Sequence, residues 1–195
     1  RLAIEINEMP EQYASFNVET WVESAMRYFT NRNFRVIGDS GKVYGYGRSV
    51  WAMIDTETRQ PQDILAIRDG AINDWLAPDV ECPIDKGSRV KMSHDLPVVR
   101  TIDTYYNDVD VNGHINSVKY IEHVLDLFSI EWYKQYDLRR LEIAYVAESH
   151  GGDRLTFRIQ DGTDELEKSI SIAKLTENGS NSVEVSRCMV KFVKK

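Results

Sequence analysis

The amino-acid sequence predicts an α+β fold in which antiparallel strands form sheets that pack against a helix. Three observations predict this class. Short segments in both halves of the chain alternate apolar and polar residues, which is typical of half-buried strands. One segment after residue 116 has the spacing of an amphipathic helix instead. The strand segments of the first half also have counterparts in the second half.

The first half contains four strand segments separated by short turns. The alternation extends over Arg1–Ile6, Phe16–Val22, Phe34–Ile37 and Val43–Ile54. Turn-forming residues stand at Glu8-Met9-Pro10 and at Asp39-Ser40-Gly41. This part of the chain is therefore predicted to be an antiparallel meander.

Residues 56–97 are predicted to be an extended linker, because the alternation fades there. Four of the five prolines lie in this region: Pro61, Pro78, Pro83 and Pro97. Proline favours extended linkers and interrupts regular elements. One short helix is expected within it, around Ile64–Leu76.

The second half is predicted to be a strand, a helix and then a meander. After a short strand near Val98–Tyr106, one helix face carries Val118, Ile121, Leu125 and Phe128. Asn116 is the predicted N-cap, because its side chain can accept from backbone N–H groups of the first turn. Strand segments then follow at Leu141–Val146, Leu155–Ile159, Ser169–Leu175 and Val183–Val193.

The two halves look like copies of one unit. Residues 1–54 align on residues 140–193, so that Arg1, Leu2 and Ile4 fall on Arg140, Leu141 and Ile143. The strand and helix of residues 98–139 have no counterpart in the first half. We therefore expect the first unit to lack an N-terminal strand and helix, and something else to cover the apolar face that this helix would bury.

Composition excludes several classes of function. The net charge of −7 argues against a nucleic-acid partner, which needs a basic face. No apolar run approaches the roughly 20 residues that span a bilayer. With only Cys82 and Cys188, a disulfide framework or a cysteine-based zinc site is not expected, and the reducing cytoplasm is the expected compartment.

The residues best suited to chemistry lie in segment 107–120, directly before the predicted helix. Asp110, Asn112 and His114 alternate, so an extended backbone would point all three side chains the same way. Gly113 would allow a turn or the close approach of a ligand. N–H groups at the start of the helix could stabilise a developing oxyanion.

Two other interpretations of this segment are open from spacing alone. Asp110 and Asn112 could be turn formers, Asn116 a helix cap and His114 a surface histidine, since such clusters are common before helices. A calcium loop is disfavoured, because the upstream helix and downstream glutamate of an EF-hand are absent.

Residues 110–120, Asp-Val-Asn-Gly-His-Ile-Asn-Ser-Val-Lys-Tyr, closely resemble the signature of acyl-acyl carrier protein thioesterases of plants and bacteria. The resemblance continues through Leu-Glu-Ile-Ala-Tyr-Val-Ala-Glu-Ser at 141–149 and Gly-Arg-Ser-Val-Trp-Ala-Met-Ile-Asp at 47–55. It covers nearly the whole chain. It implies a double hotdog fold, with two antiparallel sheets that each wrap a central helix.

The resemblance also implies domains and site residues. Residues 1–55 would be the incomplete, non-catalytic first hotdog, 56–97 the linker and 98–195 the catalytic hotdog. The family's active-site positions fall on Asp110, Asn112, His114 and Glu148. Plant members have a cysteine after this glutamate, whereas this chain has Ser149, an unactivated hydroxyl and a poor nucleophile.

The implied reaction is hydrolysis of a fatty acyl thioester by water, without a metal or an organic cofactor. Glu148 or His114 would take the proton from water, Asn112 would orient water or the carbonyl, and Asp110 would hold its neighbours in place. Met9 and Pro10 align with Glu148 and Ser149, so the first half would be catalytically silent. It could shape an acyl pocket, with Trp21, Tyr28, Phe34 and Trp51 as candidate lining residues, although core packing is the alternative for each.

The implied partner is acyl carrier protein bearing a fatty acyl chain. Because that protein is acidic, docking would need local positive charge, for which the candidates are Lys119, Lys134, Arg139 and Arg140. An acyl-coenzyme A thioesterase and a non-catalytic acyl-binding protein are the alternative functions. The sequence leaves acyl chain length and oligomeric state open, a homodimer included.

Overall fold

The computed structural model describes residues 1–87, 89–93, 95–176 and 181–195. These residues divide into two compact units, Arg1–Gly87 and Ser88–Lys195, which we call unit 1 and unit 2. Within the described ranges, no helix has the length and apolar character needed to cross a membrane.

Unit 1 is built on a four-stranded antiparallel meander, with the strand order β2-β3-β4-β1. Its strands are β1 (Leu2–Ile6), β2 (Phe16–Ala25), β3 (Phe29–Gly38) and β4 (Val43–Ala52). The β3–β4 turn closes where the sequence predicted it, with Gly41 at a φ of 83° that favours glycine. A 3-10 segment, Ile64–Trp75, occupies the region of the predicted short helix, with left-handed residues at its centre.

Strand β3 begins at Phe29, five residues before the predicted segment, because polar residues there are paired rather than solvated. Asn33 is 1% exposed, and its amide donates to Glu23 Oε2 at 2.8 Å. Asn31 donates to Ser24 Oγ on the neighbouring strand. A buried amide with its hydrogen bonds made is tolerated in a sheet, although no apolar alternation reveals it.

The two faces of the unit 1 sheet differ. On one face, the extended segment after the 3-10 helix covers the strands: Trp21 Nε1 donates to Val80 O, and the Arg48 guanidinium donates to Cys82 O and Ile84 O. The other face is apolar and lines a cavity of about 700 Å³. Exposed apolar side chains border it, including Phe16 and Val18 at 50% and 61%.

Unit 2 is a five-stranded antiparallel sheet with the order β6-β9-β8-β7-β5 and two helices. The strands are β5 (Arg100–Asp103), β6 (Tyr136–Tyr145), β7 (Arg154–Asp161), β8 (Glu167–Leu175) and β9 (Ser182–Lys194). The helices are α1 (Ser117–Leu125) and α2 (Ile130–Gln135), and a 3-10 turn spans Tyr106–Asp108. Fully buried side chains such as Phe157, Ile172 and Val190 form its core. Each contributes about 1.5–3 kcal/mol by burial.

The buried face of α1 differs from the predicted face. Tyr120 and Val124 are buried, whereas Val118 is 54% exposed. The helix ends at Leu125, so Phe128 lies beyond it and packs its ring on Phe192, with 4.8 Å between centroids. The apolar spacing did not predict this face because it leaves tyrosine out, whereas tyrosine is readily buried once its hydroxyl has a hydrogen-bond partner. The predicted cap is confirmed, since Asn116 Oδ1 accepts from Val118 N at 2.9 Å.

Helix α2 was not predicted, because six residues are too few for a helical period to be recognised. Ser129 caps it by accepting from Trp132 N. The Trp132 ring then packs against Tyr136 and Phe192. Tertiary packing of aromatic rings, rather than local pattern, therefore stabilises this helix.

The two meanders share one strand order, which agrees with the internal repeat. In unit 1 the order β2-β3-β4-β1 is that of β7-β8-β9-β6 in unit 2. Strands β7, β8 and β9 begin within one residue of the positions that the alignment of 1–54 on 140–193 predicts. The additional strand β5 and helix α1 of unit 2 have no counterpart among the described residues of unit 1.

Candidate active site

The motif at 110–114 is a tight turn rather than the extended segment that its alternation suggested. Val109 bridges Ile115, and between them Asp110 N donates to His114 O at 2.8 Å. Gly113 has a φ of 81°, a conformation that favours glycine. Asn112 is exposed at the turn, while His114 is partly buried.

Asp110 orders this turn through its carboxylate. Its Oδ1 accepts from the backbone N–H groups of Asn112 at 2.8 Å and His114 at 3.2 Å. Donation from the Asn112 backbone N–H is the largest cause that holds the pKa of Asp110 below its usual value. Asp110 is therefore a turn former, the alternative that spacing left open, and it also fixes the backbone that positions His114.

His114 and Glu148 are brought together from two separate segments. His114 Nε2 lies 3.4 Å from Glu148 Oε2. Glu148 follows the end of β6, and backbone pairing joins its segment to the turn: His114 bridges His150, and Ile115 N donates to Ser149 O at 2.8 Å. Both side chains remain accessible, at 26% for His114 and 48% for Glu148. An imidazole and a carboxylate at this separation can exchange a proton with a water molecule that lies beside them.

Ser149 is not placed as a nucleophile. It is 1% exposed, and its hydroxyl forms a short hydrogen bond with the Tyr120 hydroxyl of α1. Burial is the largest cause that raises the pKa of Tyr120, so its phenol is not an activating base at neutral pH. Ser149 thus anchors the Glu148 segment to the helix.

The start of α1 lies beside the turn, as predicted, but part of its donor set is already used. Val118 N donates to the Asn116 cap, and Asn116 N donates to Asp108 O. The N–H group of Val118 is therefore not available to bind an oxyanion at the helix N-terminus.

Three residues near the site, Asp108, His123 and His150, were left without a role by sequence reasoning. Asp108 is 8% exposed, and its Oδ1 lies 3.1 Å from Nε2 of His123 on α1. Oδ2 of Asp108 accepts from Tyr105 N at 2.8 Å. The local sequence offers one feature that could have indicated burial of His123: it lies three residues after Tyr120, on the same face of the helix. His150 is exposed, with its ring 5.0 Å from that of His114.

The basic residues proposed for docking are largely engaged within the chain. Lys119 pairs with Glu122, and Lys134 pairs with Glu131, each at 2.7 Å. Arg140 is 12% exposed and pairs with Glu142 on its own strand. These local pairs reduce the positive charge that the four residues offer to an acidic partner. In the described part of the chain, no group of three histidine, cysteine or carboxylate residues is arranged to hold a metal ion.

Comparison with known protein families identifies both halves of the chain. Residues 1–67 match the model of the acyl-ACP thioesterase N-terminal domain, and residues 92–189 match that of the acyl-ACP thioesterase C-terminal domain. The chain belongs to the acyl-ACP thioesterase family. The resemblance of residues 110–120 to the signature of these thioesterases is thereby confirmed.

Curated relatives in this family are plant enzymes. A chloroplastic acyl-[acyl-carrier-protein] hydrolase of Cuphea viscosissima is 29% identical over 155 residues, which cover 76% of this chain and 37% of the relative. The oleoyl-acyl carrier protein thioesterase 2 of Arabidopsis thaliana is 27% identical over 168 residues, 78% of this chain and 44% of the relative. The chain thus spans less than half of the length of these relatives.

Solved structures of acyl-ACP thioesterases share the fold. One from Bacteroides thetaiotaomicron is 48% identical, with a TM-score of 0.87, and the match covers 98% of this chain and 74% of that chain. The 12:0-ACP thioesterase from Umbellularia californica has a TM-score of 0.84 at 18% identity, with 100% and 74% covered. The hotdog fold that the family resemblance implied is therefore confirmed in its coarse form, an antiparallel sheet with few helices.

Proposed function

We propose that this protein hydrolyses fatty acyl thioesters of acyl carrier protein, releasing free fatty acid and carrier protein in fatty acid biosynthesis. The observation that carries the proposal is the 3.4 Å separation between His114 Nε2 and Glu148 Oε2. Membership of the acyl-ACP thioesterase family supports the choice of substrate class.

In the proposed reaction, a water molecule attacks the thioester carbonyl while the His114–Glu148 pair takes its proton. The C–S bond then breaks, and the pantetheine sulfur leaves as a thiolate that receives the proton. Glu148 is the more exposed member of the pair and the more accessible to water, while the backbone of His114 is fixed by Asp110. Such proton transfer contributes about 10²–10⁴-fold to the rate. Asn112, exposed at the turn, orients water or the carbonyl.

Unit 1 takes the role of a silent hotdog half in this proposal. Residues 1–55 belong to this non-catalytic half, 56–97 form the linker and 98–195 form the catalytic half of a double hotdog. The apolar face around the 700 Å³ cavity supports this assignment, because such a face is normally covered by a helix. Phe34 lines that cavity, while Trp21, Tyr28 and Trp51, the other predicted lining aromatics, do not.

A direct assay tests the proposed function. The full protein is incubated with acyl carrier protein and with coenzyme A carrying the same acyl chain, and release of free thiol is followed. We expect faster release from the carrier protein, in line with the family. Faster release from coenzyme A would favour an acyl-coenzyme A thioesterase, and binding of acyl chains without release from either would favour a non-catalytic acyl-binding protein.

A matched pair of variants links this activity to the site. Glu148→Gln removes the carboxylate beside His114, whereas Glu122→Gln removes a 51% exposed carboxylate on the surface of α1. Hydrolysis should be lost in the first variant and retained in the second. Equal activity of both variants would contradict the assignment of Glu148.

The proposed compartment is the cytoplasm, which localisation of the tagged full-length protein tests.

A further inference from the structure

Asp108 and His123 form a buried polar pair behind the candidate active site. His123 Nε2 lies 3.1 Å from Asp108 Oδ1, and the side chains are 20% and 11% exposed. The imidazole can donate to this carboxylate oxygen through an Nε2–H group. The imidazole also packs in a T-shaped arrangement with the ring of Phe157 in the core, with 6.4 Å between ring centroids.

Asp108 connects the pair to the base of the 109–115 turn. Its Oδ2 accepts from Tyr105 N at 2.8 Å, and its backbone oxygen accepts from Asn116 N at 2.8 Å. Asn116 in turn caps α1. The two ends of the turn that carries His114 therefore meet at Asp108, which is fixed from the other side by His123.

A buried pair of this kind is weak evidence for a contribution to stability. Burial of two polar or charged groups costs solvation energy that their contact only partly returns, and apolar side chains of similar volume often serve as well. Hydrogen bonds, in contrast, set direction and distance. The contact with His123 therefore fixes the direction of the Asp108 side chain at the base of the turn that carries His114.

We propose that His123 is a positioning residue that, through Asp108, holds the 109–115 turn so that His114 faces Glu148. This inference rests on the proposed thioesterase function, and it adds a residue outside the set of Asp110, Asn112, His114 and Glu148. In this role, the effect of His123 reaches the His114–Glu148 pair through Asp108 and the backbone between Asp108 and Asn116.

Two substitutions that differ in hydrogen bonding test the proposal. His123→Gln keeps an N–H donor near the position of Nε2, whereas His123→Leu keeps a similar volume without a donor. For wild type and both variants, kcat and KM are measured with acyl-acyl carrier protein, together with the thermal unfolding midpoint. Glu122→Gln, on the exposed side of the same helix, is the control.

We expect His123→Leu to lower kcat at least tenfold with KM changed less than threefold, and His123→Gln to recover most of that loss. A second measurement does not depend on activity. The imidazole signals of His114 are compared by NMR with and without the Glu148→Gln substitution, in the wild-type, His123→Gln and His123→Leu backgrounds. We expect Glu148→Gln to shift these signals in the first two backgrounds and to shift them less in His123→Leu.

Three results would overturn the proposal. They are wild-type kcat in a folded His123→Leu variant, equal loss in the leucine and glutamine variants, and unchanged coupling between His114 and Glu148 by NMR. If the leucine variant does not fold, it is replaced by His123→Phe, which keeps a ring against Phe157. Failure of both variants to fold would assign His123 a purely structural role. A wild-type protein without thioesterase activity would instead refute the proposed function, while the NMR measurement would still decide the positioning role.

Discussion

His114 Nε2 lies 3.4 Å from Glu148 Oε2, and backbone pairing aligns the two segments that carry these side chains. The segments that carry the two residues are joined by the backbone bridge between His114 and His150 and by the hydrogen bond from Ile115 N to Ser149 O. Either side chain can therefore be replaced without removing the bonds that align the two segments. Single substitutions at these positions report on chemistry with little disturbance of the fold.

Removal of either member of the pair should abolish most of the activity. For Glu148→Gln and His114→Ala we expect kcat to fall by about 10²–10⁴-fold each, because each substitution removes the proton acceptor or its partner. The double variant should be hardly slower than the worse single variant, since the two residues act as a unit. Release of thiol from acyl-acyl carrier protein under saturating substrate measures these effects.

The same experiment distinguishes the roles of the two residues. If Glu148 is the base, Glu148→Asp should retain part of the activity, because it keeps a carboxylate that is one methylene shorter. Near-normal turnover in both Glu148→Gln and His114→Ala would remove the pair from the mechanism.

The 109–115 turn should lose order in acid through Asp110. Hydrogen bonds from the backbone N–H groups, first that of Asn112, lower the pKa of Asp110 in the folded state. The stabilisation is therefore complete above the unfolded pKa of about 3.9 and is lost as the pH falls through the lower folded value. Amide chemical shifts of Asn112 and His114, followed below about pH 5, should show this transition.

Asp110→Asn is the control for this titration. Asparagine keeps an oxygen that can accept from both N–H groups, but it has no proton to bind in this range. The transition at the two amides should disappear in this variant. Its persistence would mean that another carboxyl group orders the turn.

Neither cysteine should take part in hydrolysis. Cys82 and Cys188 are both free and buried, and burial raises the pKa of each thiol. Both thiols are therefore protonated at neutral pH and shielded, so iodoacetamide should react with the folded protein at least about tenfold more slowly than with the protein in urea. Activity should survive this treatment, whereas stoichiometric inactivation by alkylation of one cysteine would contradict the proposed attack by water.

The sequence predicted the strands well because alternation along a half-buried sheet is a local property. Strand β4, predicted at Val43–Ile54, is observed at Val43–Ala52. The pattern failed where burial depends on partners that are distant in sequence. Asn33 is buried through its bond to Glu23, and α2 is stabilised by rings that pack on Phe192.

The candidate site was predicted from the motif and not from its geometry. The spacing of Asp110, Asn112 and His114 suggested an extended segment, but Gly113 and the Asp110 carboxylate produce a turn. The approach of Glu148 to His114 follows from the pairing of two segments, which no local pattern encodes. Asp108 and His123 were given no role for the same reason, since their contact joins a loop to a helix.

The buried contact between Tyr120 and Ser149 leads to a prediction that separates an anchoring serine from a nucleophilic one. Ser149→Ala leaves the Tyr120 hydroxyl buried without its partner, and Tyr120→Phe does the same to Ser149. Each should cost about 1–3 kcal/mol of the free energy of unfolding, measured by urea denaturation. The double variant has no unsatisfied hydroxyl, so its loss should be smaller than the sum of the two single losses by about 0.5–3 kcal/mol.

If Ser149 only anchors the Glu148 segment, kcat of the folded Ser149→Ala variant should stay within about tenfold of wild type, whereas loss of a true nucleophile would cost about 10⁶-fold. A folded Ser149→Ala variant without turnover would therefore show that the serine attacks the thioester, and the role of water in the proposed mechanism would have to be abandoned.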